Sequence, residues 1–86
     1  MKKKIAILGS TSSIGKSLLN IIKKDKKSFK IELLTANTNY KGLIAQAIKF
    51  NVQNIIITDL DSFKKSKIFC KNKKINIFQN FKIRAP

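Results

Sequence analysis

The sequence has no histidine and no tryptophan, and it contains only one cysteine, one proline, three glycines and four acidic residues. Without histidine it lacks the usual general base and the usual metal ligand of proteins. The single cysteine, Cys70, can form no disulfide within the chain and has no second thiol with which to share a metal. The four acids are not spaced for a metal site: Asp25, Glu32, Asp59 and Asp61. We therefore assign no catalytic residue and no metal ligand in this sequence.

Long apolar runs are also missing. No stretch approaches the 18 or so consecutive apolar residues that indicate a transmembrane helix. The opening Met-Lys-Lys-Lys followed by Ile-Ala-Ile-Leu has the order of a signal peptide, but its apolar run is too short and polar residues follow it at once. We expect a cytoplasmic protein with no membrane partner. The length of 86 residues corresponds to one domain.

Negative charge is scarce, whereas positive charge is abundant. Lysine and arginine total 19 against 4 acids, which gives a net charge of +15. Such a charge is typical of nucleic-acid-binding domains, and a basic nucleic-acid-binding domain is one alternative function. The lysines, however, are spread along the chain without interleaved aromatic residues that would stack on bases. Lysine, isoleucine, asparagine and phenylalanine, all encoded by A/T-rich codons, fill more than half of the chain. An A/T-rich genome accounts for the lysines, and we expect no specific nucleic-acid partner.

Short apolar runs alternate with amphipathic segments along the chain. Strands that alternate with helices of this length form β-α-β units around a parallel sheet. We therefore predict an α/β fold, a partial Rossmann-like domain with a parallel sheet of three to four strands and flanking helices, over residues 1–78. Residues 79–86 are predicted to be a tail. The predicted elements are, in chain order, strand 4–8, helix 13–24, strand 29–36, helix 40–50, strand 54–58, a helix capped by Asp61 or Ser62 that ends near residue 71, and strand 74–78.

The spacing of apolar residues predicts which side chains are buried. Four residues of the first helix share one face and are expected to face the sheet: Ile14, Leu18, Ile21 and Ile22. Four residues of the second helix do the same: Leu43, Ile44, Ala47 and Ile48. The first strand is continuously apolar up to Leu8, which predicts a parallel strand covered on both faces.

The most informative stretch is the turn between the first strand and the first helix, Gly9-Ser10-Thr11-Ser12-Ser13-Ile14-Gly15. A helix N-terminus leaves backbone N–H groups unpaired and carries partial positive charge. Small residues allow an anion to approach those groups, and hydroxyls add further donors. This pattern is typical of a dinucleotide-binding turn, and a diphosphate is the expected ligand. The alternative is an ordinary strand-to-helix turn with a serine cap.

The end of the second strand indicates which dinucleotide would bind. In dinucleotide-binding folds, an acidic residue at this place accepts a hydrogen bond from the ribose 2′-hydroxyl of NAD. Here Ala36 is followed by Asn37, Thr38 and Asn39, and no carboxylate is present. A 2′-phosphate would be tolerated, so NADPH is favoured over NADH. The alternative interpretation is that Asn37 and Asn39 are loop residues able to adopt left-handed conformations.

Both stretches resemble those of the 1-deoxy-D-xylulose 5-phosphate reductoisomerase family. That family opens with Gly-Ser-Thr-Gly-Ser-Ile-Gly after a short apolar strand, and it carries Ala-Gly-Lys-Asn or Ala-Gly-Arg-Asn after its second strand. The sequence departs from the first motif at Ser12, whose side chain is expected to crowd the diphosphate. It departs from the second motif at Asn37 and Thr38, which replace the glycine and the basic residue. Lys41 is near enough in sequence to compensate for that lost charge, and the similarity runs over about residues 3–74.

The resemblance implies the NADPH-binding N-terminal part of a reductoisomerase. Members of the family convert 1-deoxy-D-xylulose 5-phosphate to 2-C-methyl-D-erythritol 4-phosphate in non-mevalonate isoprenoid biosynthesis, with NADPH and Mg²⁺ or Mn²⁺, and the full-length enzyme is expected to be a homodimer. Their metal ligands and substrate-phosphate residues lie beyond the part represented here, so this chain alone is not expected to be catalytic. A non-catalytic nucleotide-binding module that recruits a partner is another alternative. The cofactor-binding residues implied are Thr11, Ser12, Ser13, Ile14, Asn37, Thr38 and Asn39.

The first strand is expected to have one open edge. In a nucleotide-binding sheet this strand is central, with neighbours on both sides. The predicted strands supply a neighbour on one side only. The apolar edge of the first strand should therefore be left unpaired.

Overall fold

A computed structural model describes residues 3–25, 27–71 and 73–79, and these residues form four strands that alternate with three helices. The α/β alternation predicted from the sequence is confirmed. Three elements have the predicted bounds. The first strand begins and ends one residue earlier than predicted, and the third strand ends one residue earlier. The third helix ends at Phe69 rather than near residue 71, and the last strand begins two residues later. Of the predicted tail, residues 80–86 lie outside the described residues. The elements are β1 Lys3–Ile7, α1 Ser13–Lys24, β2 Phe29–Ala36, α2 Tyr40–Phe50, β3 Asn54–Ile57, α3 Leu60–Phe69 and β4 Asn76–Phe78.

The four strands form one parallel sheet in the order β1-β2-β3-β4. Cross-strand pairing places one apolar row across its whole width: Ile7, Leu34, Ile55 and Ile77. Because all strands run in the same direction, their carboxyl ends meet at the same edge of the sheet. Within the described part of the chain β1 pairs with β2 alone, so the open edge predicted for the first strand is confirmed.

The hydrophobic core joins sheet residues to the inner faces of the helices. Leu19 and Ile22 of α1 belong to this core, as do Leu43, Ile44 and Ala47 of α2. Burial of these apolar side chains is the main favourable contribution to folding. None of the helices formed by the described residues is both long enough and apolar enough to cross a bilayer.

The predicted inner face of α1 is wrong for three of its four residues. Ile14, Leu18 and Ile21 are 77%, 44% and 62% exposed, whereas Gly15, Leu19 and Ile22 are buried. Both sets follow the i, i+4, i+7 spacing, so periodicity alone does not choose between them. Gly15 decides the rotation of the helix: a Cβ at this position would lie 2.4 Å from the carbonyl oxygen of Gly9. Only a glycine permits α1 to pack this closely on the turn before it.

Two other burial predictions are wrong as well. Ile48 of α2 is exposed, while the other three residues predicted for that face are buried. Leu8 is exposed and lies beyond the end of β1, and Ala6 within β1 is also exposed. The first strand is therefore not covered on both faces, because it lies at the edge of the sheet rather than at its centre.

The N-cap of α3 is Asp59, and the prediction of Asp61 or Ser62 is wrong. Asp59 Oδ2 accepts hydrogen bonds from the backbone N–H of Ser62 at 3.0 Å and from the Ser62 hydroxyl at 2.8 Å. A capping side chain reaches the N–H of the second or third helical residue, which is the position of Ser62. These two hydrogen bonds hold the pKa of Asp59 below its usual value of 3.8, because they stabilise the ionised carboxylate.

We expect Asp59→Asn to reduce the acid sensitivity of the fold. A carboxylate whose pKa is lowered on folding contributes stability that is present above its unfolded pKa and is lost as the pH falls through its folded pKa. Urea unfolding at about pH 6 and about pH 3 measures this loss. The wild type should lose more stability than Asp59→Asn, whose amide oxygen still caps the helix. Asp61→Asn, the same change in the first turn of α3, should follow the wild type; equal losses in all three proteins would contradict the assignment.

Candidate functional site

The turn between β1 and α1 closes on itself around the carbonyl group of Gly9. Gly9 has φ = 68°, in the left-handed region that favours glycine. The Ser12 N–H and hydroxyl both donate to the Gly9 carbonyl oxygen, at 3.0 and 2.6 Å. Ser12 is the N-cap of α1, and its Oγ accepts from the Gly15 N–H at 3.2 Å. The Ser12 hydroxyl, which was expected to crowd the diphosphate, is thus engaged within the turn, and its backbone needs no glycine (φ = −74°).

The start of α1 offers backbone donors to an anion. The first intrahelical hydrogen bond is donated by the Lys16 N–H to the Ser12 carbonyl oxygen at 2.9 Å. The N–H groups of Ser13 and Ile14 come before it and have no acceptor inside the helix. The first turn of α1 carries no acidic residue that would repel an anion. This end of the helix therefore has the charge and the donors that phosphate oxygens require.

Two residues that the sequence analysis did not identify hold the turn in place. Thr35 of β2 accepts the Gly9 N–H on its Oγ1 at 2.9 Å and the Ser10 N–H on its carbonyl oxygen at 2.9 Å. Gln46 of α2 accepts the Ser10 hydroxyl at 2.7 Å, and its Nε2 donates to the Ser10 carbonyl oxygen at 2.9 Å. One sequence signal was present: Gln46 is a polar residue between the apolar positions Ile44 and Ala47.

The loop between β2 and α2 is held by its asparagines. Asn37 Oδ1 accepts the Thr58 hydroxyl at 2.8 Å, and Asn39 caps α2 by accepting the Gly42 N–H at 3.1 Å. Among the described residues, the left-handed region contains only Gly9 and Asn51, so the left-handed interpretation of Asn37 and Asn39 is wrong. Both asparagines fix the path of the loop by hydrogen bonding instead.

The structure brings the seven predicted cofactor-binding residues to one edge of the sheet. The first four lie in and just after the turn that follows β1, and the other three form the loop that follows the neighbouring strand β2. Thr38 and Lys41 are exposed there, and the first turn of α2 has no acidic residue. Residues 9–15 and 37–41 carry no carboxylate of their own, but the Asp59 N–H donates to the Asn37 carbonyl oxygen at 3.2 Å, so one acidic residue lies beside the loop.

The described residues contain no cluster of metal-ligating side chains, and their one cysteine is buried. No group of three or more histidine, cysteine, aspartate or glutamate side chains in that part of the chain could hold a metal ion. Cys70 is buried, and loss of solvent raises the pKa of its thiol despite the opposing charge of Lys73. A buried thiol with a raised pKa is a poor nucleophile.

These features are those of a Rossmann-like α/β fold. The parallel sheet, the small-residue turn at the N-terminus of α1 and the loop at the end of β2 stand in the relation that such domains require. The family model of 1-deoxy-D-xylulose 5-phosphate reductoisomerase matches residues 5–82. The chain belongs to this family.

Relatives of known sequence and structure agree with this assignment. The 1-deoxy-D-xylulose 5-phosphate reductoisomerase of Pelagibacter ubique (strain HTCC1062) is 61% identical over 79 residues, which cover 92% of this chain and 20% of that protein. The reductoisomerase of Zymomonas mobilis in complex with NADPH superposes with a TM-score of 0.83 at 27% identity, over 91% of this chain and 21% of that one. A reductoisomerase in complex with NADPH, fosmidomycin and magnesium gives 0.84 at 27% identity, over 92% and 20% of the two chains. The chain thus spans about a fifth of the length of these relatives.

Proposed function

We propose that this chain binds NADPH at the carboxyl ends of its parallel strands, as the NADPH-binding part of a 1-deoxy-D-xylulose 5-phosphate reductoisomerase. The observation that carries the proposal is the placement of the α1 turn beside the β2 loop on neighbouring strands. The NADPH complex of Zymomonas mobilis, which superposes on 91% of this chain, supports it. Four residues would surround the diphosphate: Thr11, Ser12, Ser13 and Ile14. Three residues would surround the adenosine ribose and its 2′-phosphate: Asn37, Thr38 and Asn39.

The electrostatics of the site favour a phosphorylated ribose. NADPH carries one more phosphate than NADH, and that phosphate would lie near the loop after β2. The loop presents no carboxylate, and the exposed Lys41 follows it in the first turn of α2. Thr38 supplies no charge and the Asp59 carboxylate beside the loop opposes an anion, so the attraction to the 2′-phosphate rests on Lys41 and on the N-terminus of α2. We therefore expect weak binding of NADPH and still weaker binding of NADH.

Titration of both cofactors into the 86-residue chain tests this function. NADPH should bind more tightly than NADH, and Lys41→Gln should reduce the difference by about two- to fivefold, the range of an exposed charge interaction. Lys64→Gln removes an equivalent exposed charge from α3 and should leave the preference unchanged. Tighter binding of NADH than of NADPH would overturn the proposal, as would the absence of binding to either.

The catalytic reaction of a reductoisomerase is proposed for longer chains of this family and not for these 86 residues. Their activity would be the NADPH-dependent conversion of 1-deoxy-D-xylulose 5-phosphate to 2-C-methyl-D-erythritol 4-phosphate, with a divalent metal, in a cytoplasmic homodimer. The described residues here hold no metal-binding cluster, and the sequence has no histidine. The 86-residue chain is therefore expected to be inactive alone. Oxidation of NADPH by this chain that depends on 1-deoxy-D-xylulose 5-phosphate and Mg²⁺ would contradict that expectation.

A further inference from the structure

Ser10 is the most constrained residue of the α1 turn. It is fully buried, and all its polar groups have partners: its N–H bonds Thr35, while its hydroxyl and carbonyl groups bond Gln46. Its backbone also packs against Gly15, since a Cβ on Gly15 would lie 2.5 Å from the Ser10 Cα. Ser10 thus joins β2, α1 and α2 at one point directly before the proposed diphosphate-binding residues.

Gln46 contributes the long-range part of this arrangement. It lies seven residues after the Asn39 cap of α2, or about 10 Å along the helix. Its side-chain amide pairs twice with Ser10, once as acceptor and once as donor, across 36 residues of sequence. A two-point contact of this kind fixes orientation as well as distance. The same helix that begins at the β2 loop therefore also fixes the position of the α1 turn.

We propose that Gln46 is a positioning residue for NADPH binding, which acts by holding Ser10 so that the turn presents its N–H groups to the diphosphate. This inference rests on the proposed function. It assigns Gln46 no contact with the cofactor. Pre-organised donors bind an anion more tightly than donors that must first be ordered, so loosening the turn should weaken binding.

The variant Gln46→Leu tests the inference, because leucine is close in size and can neither donate to Ser10 nor accept from it. Losing the contact between Gln46 and Ser10 should cost about the net free energy of one hydrogen bond, which corresponds to about tenfold weaker binding of NADPH. Adenosine 2′-phosphate has the 2′-phosphate and no diphosphate, so its affinity should change much less. Gln53→Leu makes the same change at an exposed glutamine directly before β3, at the amino ends of the strands. It should leave both affinities unchanged.

A second variant separates positioning from stability. In Ser10→Ala/Gln46→Leu, no buried serine hydroxyl is left without its partner, so the fold should suffer less than in Gln46→Leu. NADPH binding should nevertheless remain about tenfold weaker than in the wild type. Thermal melts of all variants show which of them fold.

The outcomes separate the two proposals. A wild-type chain that binds no NADPH overturns the proposed function, and with it the inference. Wild-type binding with equal affinity in a folded Gln46→Leu variant overturns the inference alone. Equal weakening of NADPH and adenosine 2′-phosphate also overturns it, since a general loosening would then explain the loss. If neither variant folds, the contact between Ser10 and Gln46 is needed for folding rather than for positioning the turn, and the inference is again overturned.

Discussion

Replacing Gly15 by alanine is expected to destabilise the fold by about 1–3 kcal/mol and to weaken NADPH binding by about tenfold or more. The added Cβ would lie 2.4 Å from the Gly9 carbonyl oxygen and 2.5 and 2.7 Å from the Cα and carbonyl carbon of Ser10. All three are backbone atoms of the proposed diphosphate-binding turn, so either the turn or α1 must shift. The shift would also disturb the bonds from Ser10 to Thr35 and Gln46.

The sign of this effect is what makes the experiment decisive. Alanine in place of glycine within a helix ordinarily stabilises it, by about 0.5–1 kcal/mol. Ser17→Ala, at an exposed position of α1, reports the helix propensity of alanine alone and should be neutral or stabilising. Urea unfolding and NADPH titration of both variants give the comparison. A Gly15→Ala protein as stable as Ser17→Ala, with unchanged affinity, would show that α1 does not need this close approach.

The second large effect expected is self-association as salt rises. The edge of β1 is unpaired within the described chain, and Leu8, Ile14, Leu18 and Ile21 expose apolar surface directly after β1 and along α1. Open edges and apolar patches promote association. The net charge of +15 opposes it at low salt. Repulsion between surface charges weakens as the Debye length falls from about 30 Å at 0.01 M to about 8 Å at 0.15 M salt.

Light scattering against salt concentration measures this balance. The wild type should be monomeric at low salt and should grow in mass towards physiological salt. Ile14→Lys should shift the onset of association to higher salt. Ile68→Lys adds the same charge on α3 at a position equally exposed, 77% in both cases, and should shift the onset less. A monodisperse wild type at every salt concentration, or equal shifts in the two variants, would contradict the role of the α1 face.

The succession of elements and the position of the turn were predictable because they depend on local patterns. Apolar runs such as Ile55–Ile57 and the amphipathic spacing of α2 lie within single windows of sequence. Gly9 and the hydroxyl residues after it likewise mark the turn without reference to distant residues. The departures at Ser12 and Thr38 were also visible in the sequence.

The rotation of α1 and the support of the turn were not predictable, because both depend on long-range contacts. Two apolar stripes of α1 have the same periodicity, and only the approach of Gly15 to Gly9 and Ser10 selects between them. Gln46 and Thr35 act across 36 and 26 residues of sequence. The polar residue at position 46 is visible locally, but the residue that it bonds is not. The cap of α3 was misplaced for a smaller reason: Asp59, Asp61 and Ser62 are all good capping residues within four positions.

The most direct test of the account is to map the amides that NADPH perturbs in the ¹⁵N-labelled 86-residue chain by NMR. We expect shifts in residues 9–15, where the diphosphate would bind, and in residues 37–41, where the 2′-phosphate would bind. NADH should reproduce the first set and reduce the second. Gln53 and Asn54, at the opposite edge of the sheet, should not respond to either cofactor. Shifts confined to other parts of the chain, or no shifts at saturating NADPH, would contradict the assignment of this edge as the cofactor site.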